Sequence, residues 1–104
     1  MGTSRYLCSE LVFLEAAETR AVVNLEEIWT TGAVLECETP VEAGARFRLR
    51  AGNHTFWGSA VLVEPHAFGC RVEVEFSPMT PWKPEEYSPH HLLDPATLGA
   101  GGGK

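Results

Sequence analysis

Arg5, Arg20, Asn24 and the run Glu27-Ile28-Trp29-Thr30-Thr31-Gly32 are the residues best equipped to hold a ligand. An arginine offers a planar, permanently charged fork that grips a phosphate or stacks on a flat base. Asn24 adds an amide, Glu27 a carboxylate, and Thr30 and Thr31 hydroxyls that donate or accept. Trp29 has two roles open to it: an indole face holds a nucleobase with about 1–3 kcal/mol, or it fills the place where a base would lie. Gly32 is suited to a backbone with positive φ, and a plain turn would also account for Thr30 to Gly32. Arg46, Arg48 and Arg50 make a second group, either an anion-binding stripe or a solvated face balanced by glutamates.

Other chemistry is poorly represented. His90-His91 is the only histidine pair, but adjacent residues diverge on regular structure and no HxxxH or CxxC accompanies them, so no metal centre is expected. Cys8, Cys37 and Cys70 are odd in number and lack paired spacing, which points to reduced, packing thiols. Neither a GxSxG elbow nor a phosphate-cradling glycine loop occurs, and a non-enzymatic role is expected.

Net charge narrows the partners. Fourteen acidic residues against eight basic ones leave −6, which repels polyanions and argues against DNA or RNA as a partner. No run approaches the roughly 18 apolar residues of a membrane helix, and the first residues lack a secretory pattern, so the expected location is cytoplasmic, without membrane insertion.

The elements that must position these side chains read as short strands. Glu10–Glu15 is a brief apolar run suited to a buried strand, followed by β-branched segments at Arg20–Leu25 and Ala33–Glu38 with a polar loop, Glu26–Gly32, between them. Arg46–Ala51 alternates charge with Phe47 and Leu49 at period two. Gly52-Asn53 marks a reversal into Thr55–Val63, and Glu64–Gly69 a second one into Arg71–Phe76. Six strands at spacings near ten residues, with no helical period, predict a small all-β antiparallel barrel in a single domain.

The predicted organisation is an N-terminal segment 1–9, a barrel 10–76, a Pro-rich segment 77–95 and a tail 96–104. Pro84 is placed to start one helical turn over Glu85–Tyr87. Trp82, Tyr87, Leu92 and Leu93 give the Pro-rich segment apolar surface with which to cover an open barrel end.

Gly32-Ala33-Val34-Leu35-Glu36, then Pro40–Gly44 and Phe47-Arg48-Leu49, then Gly58–Val63 leading to Gly69–Phe76, resemble in order and spacing the central part of PilZ domains. That resemblance spans about residues 5 to 76. It implies a six-stranded barrel and, as ligand, the bacterial second messenger cyclic di-GMP, received through RxxxR and D/NxSxxG motifs. Here the first motif reads Arg5-Tyr6-Leu7-Cys8-Ser9, with serine in place of the second arginine. The second reads Glu27-Ile28-Trp29-Thr30-Thr31-Gly32, with Glu for Asp or Asn and Trp for Ser; alternatively Asn24 opens it and the loop is three residues longer. Losing one arginine contact costs about 1.5–3 kcal/mol, or roughly ten- to hundredfold in affinity.

Two functions therefore stand as expectations. The first is a signalling module that binds cyclic di-GMP at a weakened or altered site built from Arg5, Arg20, Asn24 and Glu27 to Gly32. The second is a PilZ-like barrel that has lost nucleotide binding and serves as a protein-interaction adaptor through Trp29, Trp57 or the Pro-rich segment.

Overall fold

A computed structural model describes residues 5–16 and 19–94. Six strands, β1 (Tyr6–Ala16), β2 (Thr19–Trp29), β3 (Gly32–Cys37), β4 (Arg46–Ala51), β5 (His54–His66) and β6 (Gly69–Phe76), close into an antiparallel barrel in the order β1-β2-β3-β6-β5-β4. The architecture is the small six-stranded barrel that the sequence predicts.

Strand β4 shows most simply why these residues make such a wall. Its side chains alternate between solvent and core, so Phe47 and Leu49 turn inward while Arg46, Arg48 and Arg50 stand outside. A two-residue turn, Gly52-Asn53, carries it into β5, and Gly52 takes the positive φ of 60° that the first position of a II′-type hairpin turn requires. Ala33, Leu35, Val72 and Val74 supply the facing layer with almost no exposure, and Phe56 stacks on Phe76 at 4.6 Å between ring centres.

Three expectations are corrected, two about element bounds and one about burial. Strand β1 begins at Tyr6 rather than Glu10, so residues 6–9 belong to the barrel wall and pair with the end of β2. Nor is its apolar run buried throughout: Val12 and Leu14 face the core, whereas Leu11 is 70% exposed and Phe13 39%. Period-two geometry sends neighbours to opposite faces whatever their hydrophobicity.

The expected loop from Glu26 to Gly32 is mostly strand. Leu25 and Ile28 are both fully buried, and two inward residues three apart cannot lie on one face of a regular strand. A bulge resolves the conflict: Leu25 pairs with Leu35 and Glu27 with Val34, leaving Glu26 as the extra residue. Only Thr30 and Thr31 remain to turn the chain.

Beyond β6, the Pro-rich segment lies across one barrel mouth. Trp82 enters the core with 2% of its surface exposed, and its indole N–H donates to the Tyr87 carbonyl at 2.8 Å, satisfying the polar atom it brings in. Tyr87 N–H bonds the Lys83 carbonyl, closing a single turn. Leu93 exchanges two backbone hydrogen bonds with Leu7, covering part of β1 where the three-residue pairing with β4 does not reach. Pro95 and the tail 96–104 lie outside the described residues.

Candidate functional site

The end of β2 projects two of the expected ligand residues onto the outer wall. Trp29 pairs with Gly32, and its indole lies against that glycine, where an added Cβ would come within 2.9 Å of the ring. Gly32 is therefore required for space, not for a positive φ as the sequence suggested; its backbone is ordinary. Trp29 is consequently only 6% exposed although it sits outside the core, and Val34 beside it is 4% exposed.

Arg5 completes the cover, with its guanidinium carbon 3.9 Å from the centre of the Trp29 ring. That is close cation–π contact. Its charge is met by Glu73 at 3.4 Å and Glu27 at 3.8 Å. Arg71, on β6 with Glu73, bonds Glu27 at 2.8 Å and lies 3.3 Å from Glu26.

These partners form an acidic face. Burial raises the Glu26 carboxyl above its ordinary value, a hydrogen bond with Glu36 and the charge of that residue raise it further, and Arg71 only partly opposes them. Two arginines, Arg5 and Arg71, thus stand among the carboxylates of Glu26, Glu27, Glu36 and Glu73. Both forks are occupied from within the chain.

The other expected ligand residues are spread along the barrel. Thr30 and Thr31 form the β2–β3 turn, where their carbonyls accept from the backbone N–H groups of Trp82 and Phe76. Asn24 faces outward five residues back, roughly 16 Å along the strand, with its amide oxygen 3.5 Å from the Ser9 hydroxyl. Arg20 is nine residues from Trp29, roughly 30 Å away, stacked on Phe13 at 4.0 Å and paired with Glu15 at 3.3 Å. The structure brings together Arg5, Glu27, Trp29 and Gly32 but not Arg20 or Asn24.

A second constellation lies across β4 and β5. Glu15, whose side chain is 13% exposed, receives Arg48 at 2.7 Å, Arg20 at 3.3 Å and Arg50 at 3.7 Å. Arg46 stands on the same outward row without an ion pair among the described residues. Next to the row, Trp57 is 52% exposed, and Arg48 hangs 5.4 Å from its ring centre. A groove of about 970 Å³ crosses this face, bordered by Arg46, Trp57, Ser59, Glu75, Pro78 and Pro81.

Sequence reading passed over Arg71, Glu73 and Glu15 as partners in these clusters. Period-two alternation in Arg71–Phe76 was the available signal, since it sets Arg71, Glu73 and Glu75 on one outer face. For Glu15 no local pattern existed, because its three arginines come from two other strands.

Among the described residues, no group of three or more His, Cys, Asp or Glu could hold a metal ion. The three thiols are free, and burial pushes Cys8 and Cys37 up to about 12, which keeps them protonated at neutral pH. No helix among those residues is long and apolar enough to cross a membrane.

No family model, no curated protein and no solved structure matches this chain.

Proposed function

We propose that the chain is a PilZ-like barrel that does not hold a nucleotide at the Arg5–Trp29 edge and acts as a protein-interaction adaptor. The observation that supports this reading is the indole of Trp29 lying against Gly32 beneath the guanidinium of Arg5. A flat ring under an arginine fork is the arrangement a bound base would make, and here the chain makes it with its own side chain.

Electrostatics point the same way. A phosphodiester ligand would have to part Arg5 from Glu73 and Glu27 and then sit beside four carboxylates. Serine at position 9 supplies no second fork. The long separation of Arg20 and Asn24 from Trp29 removes two further residues from any one ligand.

Calorimetric titration of the purified chain with cyclic di-GMP tests the proposal, alongside Arg5→Ala and Trp29→Ala. The expected result is no binding up to about 1 mM, weaker than roughly 4 kcal/mol. Micromolar binding that disappears in Arg5→Ala would overturn the adaptor reading and establish a receptor.

A further inference from the structure

Inward positions on β3 are taken by Ala33, Leu35 and Cys37, and on β6 by Cys70, Val72 and Val74. The antiparallel register sets these residues against one another in order and ends with Cys37 opposite Cys70. Both thiols are free and point into the core. We propose that Cys37 and Cys70 form a reversible oxidation site, joined as a disulfide across β3 and β6 by a small-molecule disulfide of the oxidised glutathione type.

Backbone spacing permits the bond. The Phe76 N–H donates to the Thr31 carbonyl at 2.8 Å, which fixes the phase of the ladder and makes Cys37 and Cys70 a hydrogen-bonded pair, with Cα atoms about 5.5 Å apart. Disulfides span roughly 4.4–6.8 Å between Cα atoms. Gly69 lets the two strands close at this point, since a Cβ on it would strike the Cys37 carbonyl and come within 2.8 Å of the Glu38 Cα. Cβ atoms in such pairs stand up to about 5.5 Å apart, wider than the roughly 3.5–4.5 Å of a relaxed disulfide. The bond therefore forms under tension and is readily reduced, which suits a reversible site.

The pair also lies where a reagent can arrive. Trp82 and the Pro-rich segment cover the barrel end at the β2–β3 turn, whereas Cys37 ends β3 at the opposite mouth and lines a cavity of about 390 Å³ with Pro40, Val41 and Phe47. Cys70, 7% exposed against 1% for Cys37, donates to the Thr39 carbonyl at 3.6 Å and is the thiol to react first. It gives its proton to solvent and attacks one sulfur of the reagent, and a small thiolate leaves. Cys37 then gives up its proton and attacks the Cys70 sulfur of the mixed disulfide, expelling the second small thiolate. One S–S bond in the protein replaces one in the reagent, and two electrons and two protons pass to the two small thiols. Cys8 takes no part: it sits on β1, with its thiol directed at the Leu25 carbonyl of β2 at 3.7 Å.

Tryptic mapping tests this directly, because Cys8, Cys37 and Cys70 fall in separate peptides, 6–20, 21–46 and 51–71. The folded chain is incubated with oxidised glutathione, its remaining thiols are blocked with iodoacetamide in urea, and the digest is read by mass spectrometry. The expected product has lost the mass of two hydrogens, joins 21–46 to 51–71, carries the block on Cys8, and reverts with dithiothreitol. Its thermal midpoint should rise by about 5 °C or more, through the loop that the bond closes. Cys8→Ala should give the same link, and Cys37→Ala should stop at a single glutathione on Cys70. Cys37 and Cys70 both carrying the block after oxidation, a link through Cys8, or a link that forms only in urea overturns the proposal.

Discussion

Two arginine–tryptophan pairs sit on different walls of this barrel and differ in nearly every physical respect. At the end of β2, Arg5 lies 3.9 Å from the Trp29 ring, the indole is 6% exposed, and the surrounding charge is acidic. On β4 and β5, Arg48 hangs 5.4 Å from Trp57, the indole is 52% exposed, and the groove beside it is lined by Arg46 and Arg48 together with Glu15 and Glu75. The first pair is closed on itself and works as part of the fold. The second is open, and its apolar and cationic surfaces face solvent.

Stability measurements sharpen that contrast most. Trp29→Ala should cost about 3 kcal/mol in urea unfolding, in the range of large-to-small changes at buried aromatic positions. Trp57→Ala should cost less than about 0.5 kcal/mol, as exposed positions do. Gly32→Val attacks the same closed pair from below, since the new side chain would meet both the Trp29 ring and the Val74 carbonyl; a loss of about 2 kcal/mol is expected from overpacking. Equal losses for the two tryptophan variants would dissolve the distinction between the faces.

Glu15 offers the next largest effect. Glu15→Gln leaves Arg20, Arg48 and Arg50 facing one another with no carboxylate between them among the described residues. About 1 kcal/mol should be lost at low salt, at the upper end for half-exposed pairs because one carboxylate serves three arginines. Added salt should weaken the native attraction and relieve the variant's repulsion, so the gap between the two should close as salt rises. A gap that salt does not change would mean that the three contacts are not electrostatic.

Arg5→Ala tests whether the cover over Trp29 is made by that one side chain. Its stability cost should be about 0.5–1 kcal/mol, the scale of an exposed cation–π contact, and the more telling reading is quenching of tryptophan fluorescence. Iodide should reach Trp57 in the unchanged chain, drawn by the arginines, while Trp29 should become quenchable only in the variant. Unaltered quenching would show that the barrel wall, not Arg5, shields the indole.

The barrel was legible because its signals are local. Alternation in Arg46–Ala51 and the Gly52-Asn53 turn state their own geometry, and both strands flanking that turn pair as the pattern requires. The second half of β2 was illegible for a physical reason: the bulge at Glu26 restores the phase of Ile28, and nothing in the order Leu25-Glu26-Glu27-Ile28 announces an extra residue. Leu11 and Phe13 misled in the opposite sense, because an apolar run reads as buried while the pleat exposes every second member. Of the candidate site, Arg5 and Trp29 were both among the expected ligand residues, but their contact depends on β1 starting at Tyr6 and on Glu73 and Gly32, which reach the same spot from β6 and β3.

The smallest effect belongs to the acidic face and carries a definite sign. Burial and the hydrogen bond with Glu36 hold the Glu26 proton in the folded chain to a higher pH than in the unfolded one. Below the unfolded value both states are protonated and the fold bears no penalty; as pH rises through the folded value, the unfolded chain has already ionised and the fold loses stability. Glu26→Gln removes that titration while its amide can still donate to Glu36. The variant should therefore match or exceed the unchanged chain at pH 7, by less than about 0.5 kcal/mol, and the difference should shrink as pH is lowered toward the carboxylate range. A variant less stable at pH 7 would mean that the Arg71 contact at 3.3 Å outweighs the crowding of carboxylates, and the acidic face would then be a balanced ion-pair network like the one around Glu15 and not a site of repulsion.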